Sequence, residues 1–301
     1  MSGSTDEELV ALRDKLRHLP YLDAVEGNEI YNYFGGLVIE HKTTNGRAVA
    51  VKVSDPGGID RSEAEMMHYA ATHGVRAPKV LGHYNIVTTK PKKPLAVAMV
   101  SERVPGVSLV NVWLELSKEE QSSIKEQLRM EITRMRKCTQ PFIGRVGNQE
   151  TRNVYDRLVE SNCGPFSDEK AFDDWCLARA HRSAFSRWKW GKMLERERRK
   201  SSGLFVLTHG DLTPRNIMVK DGVITGIVDW ERSGFFPEYA EYAFAMKLCH
   251  SHEKWWIPVL EEILQPCSKQ RLEFTRLAED RGCALYEEFV KLTGYKETEY
   301  A

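Results

Sequence analysis

The stretch Leu207–Glu231, LTHGDLTPRNIMVKDGVITGIVDWE, decides the fold of this chain. An Asp-Gly pair at 221–222 separates two apolar runs, which is a strong signal for a two-residue β-hairpin turn. Pairing outward from this turn in regular register places Asn216 opposite Ile227. Opposed side chains, and those two residues apart on one strand, share a face of the sheet. We therefore expect Asn216 and Asp229 to meet at the open end of the hairpin.

Three polar side chains in this stretch have the spacing of a phosphoryl-transfer site. Asn216 and Asp229 offer the hard oxygen ligands that Mg²⁺ prefers. Asp211 lies five residues before Asn216, on a loop that Pro214 stiffens. Kinases transfer a phosphoryl group with this layout, which consists of an Asp base, an Asn five residues further along and an Asp after a hairpin.

With these residues the chain resembles the protein-kinase-like superfamily, and within it the aminoglycoside phosphotransferase family. HGDLTPRN at 209–216 is similar to the phosphotransferase form of the kinase catalytic loop, and VDWE at 228–231 stands where protein kinases carry DFG. QPFIGRV at 140–146 and GPFSDEKAFDDW at 164–175 are similar to fungal members of that family, whose substrates are unassigned. The resemblance covers residues 28–265.

The resemblance implies a two-lobed, protein-kinase-like α+β fold with ATP and Mg²⁺ bound between the lobes. The N-lobe, residues 1–103, would be a small antiparallel sheet with helices, and the C-lobe, residues 104–301, would be larger and mainly helical. Asp211 would be the catalytic base that accepts the proton of a substrate hydroxyl. Asn216 and Asp229 would hold Mg²⁺, because the charge on the transferring phosphoryl group needs positive partners.

The hydrophobic pattern along the rest of the chain fits this division. Strands are predicted across residues 28–53, with a turn at Asn45–Gly46, and at 80–85 and 95–102. A helix is predicted at 60–72, where apolar residues recur at three- and four-residue spacing. Further helices are predicted at 4–19, 117–138, 168–200, 238–249, 253–264 and 270–292.

Lys52, in the strand AVAVKV, is the expected phosphate-binding lysine. Apolar strand residues flank it, and a charged group in such a place requires a partner or a ligand. The resemblance makes it the lysine that contacts the ATP phosphates and pairs with a helix glutamate. Glu63 and Glu65 are both candidates, and Glu63 is preferred because Met66 and Met67 follow it at the spacing of kinase-like helices.

Two further segments are assigned to the nucleotide by the resemblance. Gly35 and Gly36 would let the backbone approach the phosphates, although an isolated glycine pair is also typical of a β-bulge. Ser101, Glu102 and Arg103 precede a Pro-Gly break and would form the hinge that binds the base. Because the base would bond to the hinge backbone, the sequence leaves open whether ATP or GTP is used.

The acceptor is left open by the sequence. Trp230 and Glu231 directly follow the metal-binding Asp229, so they are candidates for contact with an acceptor. Residues 224–262 carry seven acidic against three basic side chains, which would suit a cationic acceptor. Residues 176–200 carry nine basic against two acidic ones and would favour an anionic or neutral acceptor if they lined the pocket. Such a basic helix is also typical of a solvated face.

Composition disfavours several other classes of protein. The 301 residues include 43 Lys and Arg against 43 Asp and Glu, whereas nucleic-acid-binding proteins are usually basic. The polar start MSGSTDEELV does not fit a signal peptide, and the longest apolar run, Leu95–Val100, is too short to cross a bilayer. Six cysteines without a CxxC pair are typical of reduced thiols. We expect a cytoplasmic protein without nucleic-acid or membrane partners, and the oligomeric state is not predicted.

The favoured function is transfer of the ATP γ-phosphoryl group to a hydroxyl of a small molecule, and two other functions stay open. A protein kinase is disfavoured because Thr213 stands where many protein kinases carry Lys, and because no APE-like segment follows Trp230. A kinase-like module that binds ligands without catalysis is disfavoured because all the expected polar residues are present. The incomplete glycine motif keeps this last possibility open.

Overall fold

The fold is α+β, as predicted, and consists of an antiparallel sheet followed by a mainly helical region. The predicted N-terminal helix at 4–19 lies outside the residues described here, and the lobe boundary at 103/104 stays a prediction. The computed structural model describes residues 25–33, 36–89, 91–152, 162–179, 183–248 and 251–278.

The first five strands form one antiparallel sheet in the order β1-β2-β3-β5-β4. They are β1 (Asn28–Tyr33), β2 (Gly36–Lys42), β3 (Ala48–Ser54), β4 (Val80–Val87) and β5 (Pro94–Glu102). Val49, Val51 and Val53 of β3 are buried on one face of the sheet. Lys52 lies between them in sequence and therefore points to the opposite face, where it pairs with Met99 of β5.

Helix α1 (Arg61–Thr72) packs on the face of the sheet that carries Lys52. Asp60 is its N-cap, because its carboxylate accepts a hydrogen bond from the Ser62 amide at 2.9 Å. Buried apolar residues of α1, including Met66, pack with the β5 side chains of that face. This packing places the first turn of α1 beside Lys52.

The second region is mainly helical, and five of its helices are labelled here. They are α2 (Lys118–Lys137), α3 (Glu169–Arg179), α4 (Ala184–Arg198), α5 (Ala240–Leu248) and α6 (Ile257–Ile263). The single helix predicted at 168–200 is two helices in the structure, because Ser183 caps a new helix start by accepting from the Ser186 amide. Residues 251–256 form a 3₁₀ segment ahead of α6, so the first four residues of the helix predicted at 253–264 are 3₁₀ rather than α-helical. Residues 269–278 are helical, which is the described part of the helix predicted at 270–292.

The second region also contains short strands. They are β6 (Val107–Ser108), β7 (Thr139–Gln140), β8 (Thr151–Arg152), β9 (Asn162–Cys163), β10 (Phe205–Thr208), β11 (Ile217–Lys220), β12 (Val223–Ile227) and β13 (Gly234–Pro237). These strands form three small sheets, in the orders β13-β10-β7, β12-β11-β6 and β8-β9. The chain around Asp211 connects the first two of these sheets. One continuous hydrophobic core joins α1 and β5 to the helices of the second region.

The hairpin at 221–222 forms as predicted, but the register of its two strands differs from the predicted one. The two pairs nearest the turn are regular, and then Thr225 is left unpaired in a β-bulge. The bulge places Ile217, rather than Asn216, opposite Ile227. The hydroxyl of Thr225 donates to the carbonyl oxygen of Pro105 at 2.6 Å, which holds the extra residue in place.

Candidate active site

Lys52 binds three carboxylates that come from different parts of the chain. Its Nζ lies 2.9 Å from Glu63 Oε1, 3.2 Å from Asp229 Oδ1 and 3.5 Å from Glu231 Oε2. Glu65, the other candidate partner, instead accepts a hydrogen bond from the Gln149 side chain at 2.6 Å. The structure thus pairs Lys52 with Glu63, on the buried side of the first turn of α1.

The charges around Lys52 favour its protonated form. Burial alone would lower the pKa of Lys52, but the carboxylates of Glu63, Asp229 and Glu231 raise it well above its ordinary value. Burial raises the pKa of Glu63, whose side chain is only 2% exposed, and the Lys52 charge opposes this shift. Lys52 is therefore a cation whose side chain retains 23% exposure, so an anionic group can reach it.

Asp211 and Asn216 belong to one tight loop that ends in the 3₁₀ turn Pro214–Asn216. The Asp211 carbonyl oxygen accepts from the Thr213 amide at 2.8 Å and from Asn216 Nδ2 at 2.9 Å. Because the side-chain nitrogen of Asn216 is used within the loop, its side-chain oxygen is the atom available to a cation. The Val228 amide donates to the Asn216 carbonyl oxygen at 2.9 Å, so Asp229 follows directly from this end of the hairpin.

Buried polar groups hold the chain before Asp211 in place. The Glu241 carboxylate accepts from the amides of His209 and Gly210, at 2.6 and 3.2 Å. The Asp211 amide donates to His209 Nδ1 at 3.3 Å, so the ring proton lies on Nε2, which donates to the Val228 carbonyl at 3.0 Å. His209 therefore connects the Asp211 loop to the residue immediately before Asp229.

Asp229 has a left-handed backbone conformation, with φ 66° and ψ 64°, and starts the turn Trp230–Arg232. Trp230 is fully buried, packs edge-on against His209 at 4.8 Å and donates from Nε1 to the Ile227 carbonyl. The predicted contact between Trp230 and an acceptor does not fit this burial, because the indole is part of the core. Glu231 is 30% exposed beside Lys52 and remains a candidate for such a contact.

The predicted hinge lies at the end of β5 and is tied to the first strands. Ser101 is buried and pairs with a residue of β3. Glu102 accepts from Arg47 Nη2 at 2.5 Å, and Arg103 Nε donates to Glu40 Oε2 at 3.0 Å. These ion pairs connect the hinge to the β2–β3 hairpin, and binding of a base there stays a prediction.

Of the two glycines predicted to contact phosphates, Gly36 lies within the described residues. Gly36 is the first residue of β2, whereas Gly35 lies outside the described residues. Tyr33 of β1 pairs with Gly36, so the two strands form an antiparallel hairpin. Contact between this hairpin and phosphates stays a prediction.

The basic segment at 176–200 forms parts of α3 and α4. Ion pairs within these helices hold several of its charges, including Arg198, which donates to Asp173 at 2.6 Å. Phe185 and Trp188 stack on each other and are 73% and 61% exposed. These local ion pairs favour the solvated helix face over a lining of the acceptor pocket.

A divalent cation fits the donor set at the open end of the hairpin. Asn216 supplies an amide oxygen and Asp229 a carboxylate, and Mg²⁺ is usually held by one or two protein carboxylates together with substrate phosphates. Among the described residues, no group of three or more His, Cys, Asp or Glu side chains could hold a metal by itself. The two donors therefore suit a cation that arrives with a nucleotide better than a permanent all-protein metal site.

Comparison with known proteins assigns the class that this fold and site define. The model of the phosphotransferase enzyme family, APH, matches residues 37–265, so the chain belongs to that family. A search of curated proteins finds no significant match. Among the described residues, no helix has both the length and the apolar character needed to span a bilayer.

Solved structures share the kinase-like fold. Aminoglycoside phosphotransferase APH(4)-Ia is similar, with a TM-score of 0.53 and 12% identity, over 95% of this chain and 96% of that one. A putative fructosamine-3-kinase from Thermobifida fusca gives 0.54 and 14%, over 93% and 96%. A thermostable APH(4)-Ia mutant in complex with ADP and hygromycin B gives 0.53 and 13%, over 97% and 96%. At these identities the similarity shows the two-lobed fold alone.

Glu241→Ala should lower the free energy of unfolding by roughly 3 kcal/mol, since two buried amides lose their acceptor at a cost of about 1–3 kcal/mol each. Urea unfolding followed by circular dichroism measures this change. Glu238→Ala is the matched control, because Glu238 is only partly buried and accepts from Ser202 Oγ at 2.7 Å. Equal stability losses in the two variants would contradict the role assigned to Glu241.

The pH dependence of stability provides a second readout for Glu241. Burial raises the pKa of Glu241, and the hydrogen bonds from His209 and Gly210 oppose that shift only partly. A carboxyl whose pKa is raised on folding binds more protons in the folded state, so its contribution to stability falls as the pH rises. Between the ordinary and the raised pKa, wild-type stability should therefore fall more with rising pH than that of Glu241→Gln. A wild type with the shallower slope would contradict this.

Proposed function

We propose that this phosphotransferase moves the γ-phosphoryl group of ATP to a hydroxyl group of a small molecule, with Mg²⁺ bound. The observation that carries the proposal is the contact of Lys52 with both Glu63 and Asp229, at 2.9 and 3.2 Å. It brings together the residues that we propose as the phosphate lysine, its helix partner and the metal-binding aspartate. Membership of the phosphotransferase family supports it, as does the ADP in the similar complex with hygromycin B.

The reaction assigns each residue one task. Asp211 accepts the proton of the acceptor hydroxyl, whose oxygen attacks the γ-phosphorus in line. The new oxygen–phosphorus bond forms as the bond to the β-phosphate oxygen breaks, and ADP leaves with that electron pair. Lys52, held by Glu63, orients the phosphates. Asn216 and Asp229 would hold Mg²⁺, which when bound neutralises charge on the phosphoryl oxygens.

A small acceptor is favoured over a protein by the chain after Asp229. The turn Trp230–Arg232 leads directly into β13, all of whose residues are buried and which pairs with β10. Thr213, at the position where many protein kinases carry Lys, is buried as well. This segment therefore offers no extended exposed strand on which a peptide substrate could lie.

The finer assignments belong to the same proposal. The similarity of 140–146 and 164–175 to fungal members supports placement in that branch, with the acceptor unassigned. The function requires a compartment with ATP, and the free thiols of four described cysteines fit a reducing one, so we place the protein in the cytoplasm.

Screening with ATP and Mg²⁺ tests the proposed function. A panel of hydroxylated small molecules, spanning cationic aminoglycosides, neutral sugars and anionic sugar acids, is assayed for ADP release and for a phosphorylated product by mass spectrometry. We expect at least one compound to raise ADP release and to gain one phosphoryl group. A parallel reaction with radiolabelled ATP and mixed protein substrates covers the alternative. Labelled protein without any small-molecule product would favour a protein kinase, and nucleotide binding without turnover would favour a non-catalytic module.

A further inference from the structure

Residues 143–152, here called the bridging segment, lie between helix α1 and the chain that follows β12. Arg145, within this segment, is fully buried. On one side its Nη1 donates to Ser62 Oγ at 2.6 Å. On the other side its Nε donates to the Ser233 carbonyl oxygen at 3.1 Å, and its Nη2 donates to the Glu231 carbonyl oxygen. One side chain therefore joins the first turn of α1 to the turn after β12.

The rest of the bridging segment contacts the same two elements. Gln149 donates from its side chain to Glu65 of α1 at 2.6 Å. Gly144 and Phe235 of β13 exchange two backbone hydrogen bonds, at 2.7 and 3.2 Å. The segment thus binds α1 through side chains and β13 through its backbone, with the Arg145 guanidinium between them.

Arg145 and Lys52 each connect the first turn of α1 to the turn at Asp229. Arg145 contacts the residue immediately before Glu63 and the residue two positions after Asp229. Lys52 binds the carboxylates of Glu63 and Asp229 themselves. Any change in the position of α1 relative to the Asp229 turn must therefore break hydrogen bonds of Arg145, ion pairs of Lys52, or both.

Burying a guanidinium group costs free energy. Its presence here therefore indicates that the geometry of its hydrogen bonds matters. Burial lowers the pKa of Arg145, and the nearby carboxylates of Glu63, Asp60 and Glu231 oppose that shift. Among the described residues, Asp60 is the one carboxylate within ion-pair distance of the guanidinium, at 3.5 Å. Its other hydrogen bonds go to a hydroxyl and two carbonyl oxygens. An apolar side chain of similar volume often gives equal or greater stability in a buried site. The forked set of hydrogen bonds is what an arginine adds there.

We propose that Arg145 is a positioning residue for the phosphate site. It fixes α1 against the Asp229 turn so that Lys52, Glu63 and Asp229 face the nucleotide phosphates together. It acts through these residues, because it is fully buried. The inference rests on the proposed function, since it requires that the cleft binds ATP.

Arg145→Lys tests this role, because lysine keeps the charge but cannot form the forked set of hydrogen bonds. ATP with Mg²⁺ and adenosine, which lacks phosphates, are titrated into the full chain by calorimetry, with adenosine also measured by competition. We expect ATP affinity to fall about 10–100-fold, the factor typical when a residue that orients a metal ligand is replaced, while adenosine affinity stays at the wild-type value. A purely structural role would lower the melting temperature and leave the ratio of the two affinities unchanged.

Arg271→Lys is the matched control, because Arg271 is also a buried arginine but binds Asp173 and Glu169 on α3. It should lower the melting temperature without changing the ratio of ATP to adenosine affinity. Ser62→Ala removes the hydroxyl on α1 that accepts from Arg145 and that also hydrogen-bonds Asp60, and it should shift the ratio in the same direction by a smaller factor. This second variant keeps the test decisive if Arg145→Lys does not fold.

The relation between Arg145 and Glu63 gives a further discriminating measurement. In a Glu63→Gln background, Arg145→Lys should lower ATP affinity little further, since both substitutions act on the position of Lys52. Fully additive losses would overturn the inference, as would wild-type ATP affinity in folded Arg145→Lys. A wild-type protein that binds no ATP would instead overturn the proposed function.

Discussion

The Asp211→Asn variant should transfer the γ-phosphoryl group about 10³-fold more slowly than the wild-type protein, within the range typical for loss of a general base. Its affinity for ATP with Mg²⁺ should be largely unchanged. The hydrogen bonds from Thr213 and Asn216 use the carbonyl oxygen of Asp211, so the substitution keeps them. The loss should therefore fall on kcat, because the variant cannot accept the acceptor's proton.

Initial rates with the acceptor found by screening, together with nucleotide titration, measure both quantities. Asp221→Asn is the matched control, since it makes the same chemical change at the exposed hairpin turn. Asp221 has a positive φ of 51°, which Asn also tolerates. The control should keep the wild-type kcat. An Asp211→Asn variant with more than about a tenth of the wild-type rate would exclude Asp211 as the base, because such a loss is below the usual effect.

The Lys52→Met variant should lose ATP binding. Its free energy of unfolding at neutral pH should fall by about 3 kcal/mol, which is the lower end of the cost of breaking a buried ion pair. The lower end applies because Lys52 keeps 23% exposure, whereas Glu63 keeps only 2%. Without the ammonium group, the buried Glu63 carboxylate loses its ion-pair partner and is left near the charges of Asp229 and Glu231. Burial already raises the pKa of Glu63, and loss of Lys52 should raise it further.

The sign of the pH dependence follows from that shift. A folded state in which Glu63 has a raised pKa binds more protons than the unfolded state, so stability falls as the pH rises. The stability loss in Lys52→Met should therefore shrink as the pH is lowered from neutral toward the ordinary pKa of a glutamate. Urea unfolding of wild type and variant across this range measures it.

Two further variants separate the charge effect from a loss of packing. Lys52→Met combined with Glu63→Gln should recover much of the lost stability, because no uncompensated charge remains at position 63. Lys42→Met, on the exposed end of β2, should change stability by no more than about 0.5 kcal/mol. A single Lys52→Met variant as stable as the wild type at neutral pH would contradict the pairing.

The sequence predicts the hairpin but not its bulge. Asp-Gly at 221–222 is a local signal, because the turn depends on the conformations open to those two residues. The unpaired Thr225 depends on a hydrogen bond to Pro105, 120 residues away in the chain, which no local pattern encodes. The predicted meeting of Asn216 and Asp229 was therefore argued from the wrong register, although both residues do lie at the open end of the hairpin.

Burial by distant elements also explains what sequence reasoning missed. Trp230 was treated as a cleft residue because of its place after Asp229, whereas packing against His209 makes it part of the core. Glu241 carries no local sign that it binds the amides before Asp211. Arg145 did carry a signal. It is a single charge in the apolar run FIGRV, and the rule that identified Lys52 applies to it equally.

Calorimetric titration of the wild-type protein with ATP, in the presence and absence of Mg²⁺, tests most directly whether the cleft around Lys52 and Asp229 is a nucleotide site. We predict saturable binding at one site, weakened when Mg²⁺ is withheld and lost in an Asp229→Ala variant that remains folded. GTP is titrated in parallel, since the hinge leaves the base open. A folded wild-type protein that binds neither ATP nor GTP would contradict the proposed kinase and would favour a module that binds other ligands.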